Sequence, residues 1–577
     1  MIFCRLAVLA LSLYGFTRYA MRRLRLGTEE AIPFTAVCIA VGLTLAGMLN
    51  LLREAALVAY ASGLALAADS LVRRKEPLRP FAGPVFWSLL VGGAALAWLL
   101  HGARFTQYDD FSHWALIART LLENDALPTF RDVDISFQNY PPGSACWVYF
   151  LCRFAGGGEG MMLFAQATLM LACLLPVFGL NRKRPAVGAA VAGGLATFVF
   201  LGGETLIGSL YVDQLLPLVA AAGAVAAATH ADEPERAALL TAPFAIYTYL
   251  VKNSGLLFSG LLGLMLVCAA LRARRRSGAL SRRQWRAVGT ACAAPFCMWY
   301  VWNRHTTMVF QNASATKHAM RPGQLMAVFQ AKTAEDIRLV TGNFLAALQK
   351  EAWVPLLCLA LMGLCLGAAA LLEKRTDKRI LAIMAASAAV YLIYQTGMLA
   401  MYLFSMPVGE AIHLASLSRY NSTALVLAAY AAAACMQLFY GGLGEKPRTR
   451  RRALCAGVAA LWGALVLWQA GVPNHSALAL RQDYPNTQRA KIQEMIRTYQ
   501  IPGGQRYILL GMLDGGMAYN LFQYELRPQM LSLNLEDWEQ ADAVIIYEPK
   551  PLEMVYLEET VLSSQHPPVI YDCRTLE

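Results

Sequence analysis

Between Thr106 and Trp114 the chain reads TQYDDFSHW, which sets two carboxylates and an imidazole close together at Asp109, Asp110 and His113. Groups of these types take a proton from a hydroxyl or steady a charge that develops in a transition state. Helical spacing lets His113 share a face with Asp109, four residues back, or with Asp110, three back. The two Asp side chains themselves diverge by about 100° on a helix. They are therefore poorly placed as the facing pair of a glycoside hydrolase, whose carboxyls stand roughly 5–9.5 Å apart across a substrate. A single base fits better, with one carboxylate taking a proton and the other doing a separate job. An Asp ahead of an amphipathic helix is also ordinary capping chemistry. A cap accounts for one Asp but leaves His113 and the later Tyr140-Pro141-Pro142 unexplained.

A site that handles anions needs fixed cations. Arg419 offers a planar fork that matches phosphate oxygens, and Lys252 lies in an apolar stretch where it needs a partner or water. Arg304, Lys317 and Arg321 are weaker candidates, because they read as a solvated loop. Plainer roles compete: Arg419 can pair with Glu410 or snorkel to an interface, and Asp213 can cap the helix that follows it. Seven of the eight histidines (His101, His113, His305, His318, His413, His475 and His566) fall in the same set of connections, without metal-ligand spacing. The 13 cysteines contain no CxxC pair and lie mostly in apolar runs, where they behave as small apolar residues. Asn312-Ala313-Ser314 is a glycosylation sequon, a short pattern that arises by chance. GMLDGG (511–516) is glycine-rich but lacks the spacing of a nucleotide fingerprint.

The elements that must position these residues are membrane helices. Of 577 residues, 57% are hydrophobic and 15% charged, with a mean hydropathy of +0.43. A soluble protein sits nearer 45–50% apolar and about 25% charged, so much of this surface belongs against lipid. Fourteen apolar runs reach spanning length, near 2–20, 32–51, 55–72, 83–101, 161–180, 186–202, 213–229, 237–251, 254–271, 287–303, 352–372, 380–403, 421–440 and 453–471. Alternate connections hold the basic clusters: Arg22/Arg23/Arg25, Arg73/Arg74/Lys75, Arg182/Lys183/Arg184, Arg272 to Arg286, Lys374 to Arg379 and Lys446 to Arg452. The positive-inside rule makes these cytoplasmic. Residues 230–236, HADEPER, fall inside on the same count. Met1, the long loops 102–160 and 304–350, the connection 404–420 and the tail from 472 then face out. The first run is expected to stay as a helix rather than be cleaved. Residues 111–122 carry an amphipathic pattern that suits a helix on the membrane surface with Trp114 as interfacial anchor.

The tail, 472–577, differs in kind, with 8 Lys or Arg against 14 Asp or Glu. A polar helical stretch (487–500) alternates with strand-like runs at 507–512 and 543–547, which predicts a small α/β domain. The expected division is 1–82 as additional helices, 83–471 as the membrane core and 472–577 as the extracytoplasmic domain. The net charge of +12 is then an orientation signal rather than a nucleic-acid footprint.

An acidic pair after an early membrane helix, a surface helix and then Tyr-Pro-Pro before the next span resembles the GT-C glycosyltransferase superfamily. The likeness is greatest to the protein mannosyltransferase and aminoarabinose transferase type and to related bacterial membrane proteins, and it covers roughly 83–440. Asp109 and Asp110 match the family's acidic pair, and Tyr140, Pro141 and Pro142 its Pro-Pro element. Tyr211 and Asp213 sit where a second acidic outer-loop residue occurs. Lys252 with Gly255 is similar to a break between two short helices, and Ser418-Arg419-Tyr420 to a late loop motif whose cation faces the lipid phosphate. The resemblance implies an all-α polytopic fold and inverting transfer of a sugar from a polyprenyl-phosphate donor. The acceptor would be an envelope lipid, glycan or protein. Asp109, Asp110 and His113 would be catalytic, Asp109 as the base and the other two orienting it or the acceptor. Tyr140, Pro141, Asp213, Lys252, Glu410, Arg419 and Tyr420 would contact substrate. Some relatives use a divalent cation such as Mg or Mn. Three extra spans before the acidic loop and the α/β tail depart from the simplest members. An envelope-glycan polymerase or ligase is one rival, but such proteins rely on outer-loop Arg and His without an early Asp pair. A transporter would carry repeat symmetry and midplane polar residues, neither of which is visible.

Overall fold

A computed structural model describes residues 2–75, 83–132, 135–202, 207–310, 322–373, 376–443, 449–471, 484–511, 516–527 and 531–574. The protein is mostly helical and polytopic. Each of the fourteen apolar runs overlaps helix over most of its length, with ends that differ by up to a few residues and with 161–180 divided between Glu159–Leu174 and Pro176–Gly179. Among the described residues, eight helices are both long and apolar enough to cross a membrane: Thr28–Met48, Leu52–Arg73, Glu159–Gly179, Gly255–Ser277, Trp353–Leu372, Lys378–Phe404, Leu417–Gly442 and Arg452–Gly471. Pro84–Leu100, Pro185–Leu201 and Leu215–Thr229 are apolar but shorter, at 17, 17 and 15 residues. Their rise of about 22–26 Å falls short of a ~30 Å hydrocarbon core.

The helices Glu159–Leu174, Leu215–Thr229 and Leu417–Gly442 are buried along most of their length and form the centre of the bundle. Lys378–Phe404 and Arg452–Gly471 are mostly exposed, as helices at a lipid boundary are. At one end of the bundle basic residues tie connections together: Arg182 pairs with Glu29 at 2.8 Å, His230 meets Glu30 at 2.9 Å, and Arg236 donates to the Leu24 carbonyl at 3.0 Å. The long connections and the tail collect at the other end.

The tail forms four parallel strands, β1 (Tyr507–Leu510), β2 (Leu531–Ser532), β3 (Ala543–Ile546) and β4 (Val569–Asp572), in the order β2-β1-β3-β4. Tyr507 to Leu510 register with Ala543 to Ile546. Strand period divides this apolar block between two faces. Tyr507, Leu509, Ala543 and Ile545 join the same core cluster as the membrane helices. Ile508, Leu510, Val544 and Ile546 pack under Leu535, Leu557 and Val561. The tail therefore shares its core with the bundle.

Candidate functional site

Three distant stretches of chain meet at the long-loop end. Asp110 is fully buried in the turn Asp110–Trp114, and its Oδ1 accepts from the Leu210 amide at 2.9 Å and from Ser209 Oγ at 3.1 Å. This carboxyl thus joins the first long loop to 207–214, the stretch that carries Tyr211 and Asp213. Tyr211 is held further, since its carbonyl accepts from Gln166 Nε2 at 3.0 Å and its hydroxyl from the Asp109 amide at 3.3 Å. Among the described residues Asp110 Oδ2 has no hydrogen-bond partner. Burial pushes the Asp110 carboxyl well above the ordinary range, against the pull of Leu210 and Ser209, and the nearby Asp109 charge adds to the rise.

The second stretch is the break between Pro234–Val251 and Gly255–Ser277. A Cβ on Gly255 would stand 1.8 Å from the Thr248 carbonyl oxygen, so only glycine lets the helices approach this closely. Lys252 lies in that break and places Nζ 2.8 Å from Asp213 Oδ1. The third stretch is the start of Leu417–Gly442. There Arg419 donates from Nη1 to Asp109 Oδ2, sets Nε 3.5 Å from Asp213 Oδ2, and donates from Nη2 to the Tyr420 hydroxyl at 3.3 Å. Its guanidinium lies 4.5 Å from the Tyr211 ring centre and 5.1 Å from that of Tyr420. Lys252 Nζ is 4.7 Å from the Tyr420 ring.

Two carboxylates and two cations thus alternate: Asp109, Arg419, Asp213, Lys252. Burial opposes the Asp213 charge, but Lys252 and then Arg419 outweigh it and hold that carboxyl below its usual range. Burial likewise opposes the Lys252 charge, and Asp213 reverses this so that the ammonium is held above its usual range. Side-chain exposure grades from 4% at Asp213 and 11% at Lys252 to 16% at Arg419 and 18% at Asp109. A ligand therefore reaches Asp109 and Arg419 first.

The structure brings Asp109, Asp110, Asp213, Lys252, Arg419, Tyr211 and Tyr420 together. Tyr140 joins their border: Gly143, three residues on, accepts from Tyr247 Oη at 3.2 Å, and a Cβ on it would clash with Leu250. Pro141 is buried at this junction. Burial pushes the Tyr140 phenol up to about 12 against the pull of Lys252. Four expectations are corrected. His113 does not orient Asp109; its ring is fully buried against Trp114, Phe137 and Tyr140, and neither nitrogen has a hydrogen-bond partner among the described residues. Trp114 is not an interfacial anchor, because it is 7% exposed and packs against Tyr140 of the 135–140 segment. Arg419 takes Asp109 and Asp213 in place of Glu410, which sits on the short helix Val408–Ile412. Nor does Asp213 act as a cap, for Gln214 is the N-cap of Leu215–Thr229 and no side-chain cap bond forms.

Lys317, Arg321, His318, His475 and the sequon lie outside the described residues. Among the described residues no three His, Cys, Asp or Glu side chains gather in a way that would hold a metal ion. The carboxylates of the cluster already face Arg419 and Lys252, so the donor set does not fit a divalent cation.

The sequence reading missed a clasp from the tail. Arg489, 2% exposed, donates from Nη2 to Glu159 Oε1 at 2.6 Å, from Nη1 to the Phe105 carbonyl at 2.9 Å, and from Nε to Glu525 Oε1 at 2.7 Å. Glu159 Oε2 in turn accepts from the Phe105 amide at 2.8 Å. Tyr524 stacks edge-on to Phe111 at 5.2 Å, and its carbonyl accepts from Arg119 Nη1 at 2.7 Å. The tail therefore grips the loop that carries Asp109 on both sides of it. A signal was present, because Arg489 stands on the same helical face as the buried Ile492 and Met495. A second polar group was also missed: Gln395 Nε2 donates to Asn421 Oδ1 at 2.7 Å, and Asn421 donates to Glu351. Compared with known protein families, with curated proteins and with solved structures, the chain matches none.

Proposed function

We propose that this chain is a GT-C-type membrane glycosyltransferase with about fourteen spans, whose long loops and tail lie on the extracytoplasmic side of the plasma membrane. It transfers a sugar from a polyprenyl-phosphate donor to a hydroxyl of an envelope lipid, glycan or protein. The observation that carries this reading is a carboxylate and two cations in one partly open cluster, with Asp109 outermost. Transfer in one inverting step breaks the bond between the anomeric carbon and the phosphate oxygen and forms one to the acceptor oxygen. Asp109 takes the acceptor's proton, and the negative charge left on the lipid phosphate falls to Arg419, with Lys252 behind it. Since the leaving group is already a stable anion, no strong general acid is required. Asp213 holds the two cations in place, and Asp110 holds the loop.

The test compares envelope lipids and glycans by mass spectrometry in cells with the gene, without it, and with Asp109→Asn. The expectation is one sugar missing from a single class of molecule in the second and third. An Asp109→Asn protein that inserts normally and restores that sugar would sink the assignment.

A further inference from the structure

Arg419 donates a hydrogen bond to a carboxylate at the open side of the cluster, and that carboxylate is the one assigned as base. We propose that Asp109 occupies the anion subsite of Arg419 in the empty protein, so that a donor phosphate must displace it. This inference rests on the functional reading above and extends it to the order of events.

The geometry leaves few alternatives. Bidentate recognition of a phosphate uses two N–H groups of one guanidinium. On Arg419, one N–H of Nη1 goes to Asp109 and one of Nη2 to the Tyr420 hydroxyl, and Nε has no hydrogen-bond acceptor among the described residues. A phosphate that takes two N–H groups on the open side meets the Asp109 carboxylate there, and the two like charges exclude each other. The aromatic faces of Tyr211 and Tyr420 lie against the guanidinium and restrict movement of the cation. Lys252 does not offer itself, since Asp213 Oδ1 holds it at 2.8 Å and it is less exposed than Arg419. The contact that yields is therefore the outer one. Asp213 stays behind with Lys252 and still balances Arg419 from the inner side, so displacement of Asp109 does not strip the cluster of negative charge. Freed from its counter-charge, Asp109 becomes available to a hydroxyl, and only when a phosphate sits beside it. The site then binds donor before acceptor, and without donor it holds its base masked, which disfavours idle hydrolysis.

Inorganic phosphate is the probe, titrated into the purified full-length chain in detergent and followed by ³¹P line broadening, which needs no sugar or acceptor. The expected result is weak binding to the unaltered protein and binding on the order of tenfold tighter to Asp109→Asn, because the resident carboxylate no longer competes. Asp109→Glu keeps the charge and stays near the unaltered value, and Arg419→Gln loses binding. Asp109→Ser, smaller and neutral, serves if Asp109→Asn does not give monodisperse protein, with the same tightening expected. If the unaltered protein binds and Arg419→Gln does not, but neutral residues at 109 leave affinity unchanged or weaker, the masking is wrong and the anion site stands. If nothing binds, or Arg419→Gln binds as well as the rest, the anion site itself fails and the masking with it.

Discussion

His113 buries an imidazole for which the described residues offer no hydrogen bond on either nitrogen, and that has a sign in pH. Burial, with the field of Lys252, pushes its pKa down to about 3 from an ordinary 6.5. The unfolded chain therefore binds a proton between these values that the folded chain refuses. Stability contributed by the neutral ring is intact above pH 6.5 and falls as pH drops below it, by up to about 1.4 kcal/mol per pH unit for one proton. His113→Phe, which keeps a ring among Trp114, Phe137 and Tyr140, is expected to flatten the fall of melting temperature between pH 6.5 and 4.5. Asp110 gives a second residue-scale prediction. Its Oδ1 does the joining and its burial favours the neutral form, so Asp110→Asn should melt near the unaltered protein. Asp110→Ala orphans the Leu210 amide and should cost about 1–3 kcal/mol by denaturant or thermal unfolding. At this scale the sequence was legible wherever a residue type is expensive: Asp213 and Lys252 are noticed because a charge beside lipid demands a partner. Which partner it takes was not legible, since Asp109 and Arg419 lie 310 positions apart and no periodicity reports a contact at that separation. His113 was misread because helical spacing permits a shared face, whereas the turn at 110–114 turns the ring to an aromatic pocket.

At the scale of elements, the break at Lys252 and the helix Gln488–Thr498 each hold part of the site, the first through Asp213 and the second through the loop that carries Asp109. Gly255→Ala puts a Cβ into the Thr248 carbonyl, and the helices must separate and carry Lys252 away from Asp213. The expected readout is lost phosphate binding at near-normal expression. Arg489→Met leaves Glu159 and Glu525 without their cation, and breaking such a pair from one side costs about 3–5 kcal/mol. Limited proteolysis should then release the tail from a bundle that still migrates as folded; a tail that stays protected would show that the clasp contributes little. The two central strands, β1 and β3, were readable from apolar runs bounded by Gly and Pro, and the polar helix from its periodicity. By contrast, β2 is only two residues long and β4 is only partly buried, so neither stands out as an apolar run. That one face of the sheet is continuous with the membrane core was not, because a buried parallel strand is apolar on both sides and does not say what covers either.

For the whole molecule, charge by position gave a topology that local propensity cannot, with basic connections at one end of the bundle and the acidic tail at the other. A C-terminal fusion to alkaline phosphatase is expected to be active and one to a fluorescent protein dark, as an outward tail requires; the reverse pattern would invert the proposed orientation. The fourteen runs are read from apolar length along the sequence, and they exceed the eight helices that length and apolarity support partly because three of them fold into helices of only 15–17 residues.

The clasp also has a consequence in time. Arg489 reaches the Phe105 carbonyl across 384 positions of chain. At a synthesis rate of roughly 5–20 residues per second, the loop carrying Asp109 waits some 20–80 s after it is made before its fastening appears. Every copy whose synthesis has not yet reached Arg489 therefore holds an unfastened first loop, and the first loop of this chain is closed only by one of its last helices.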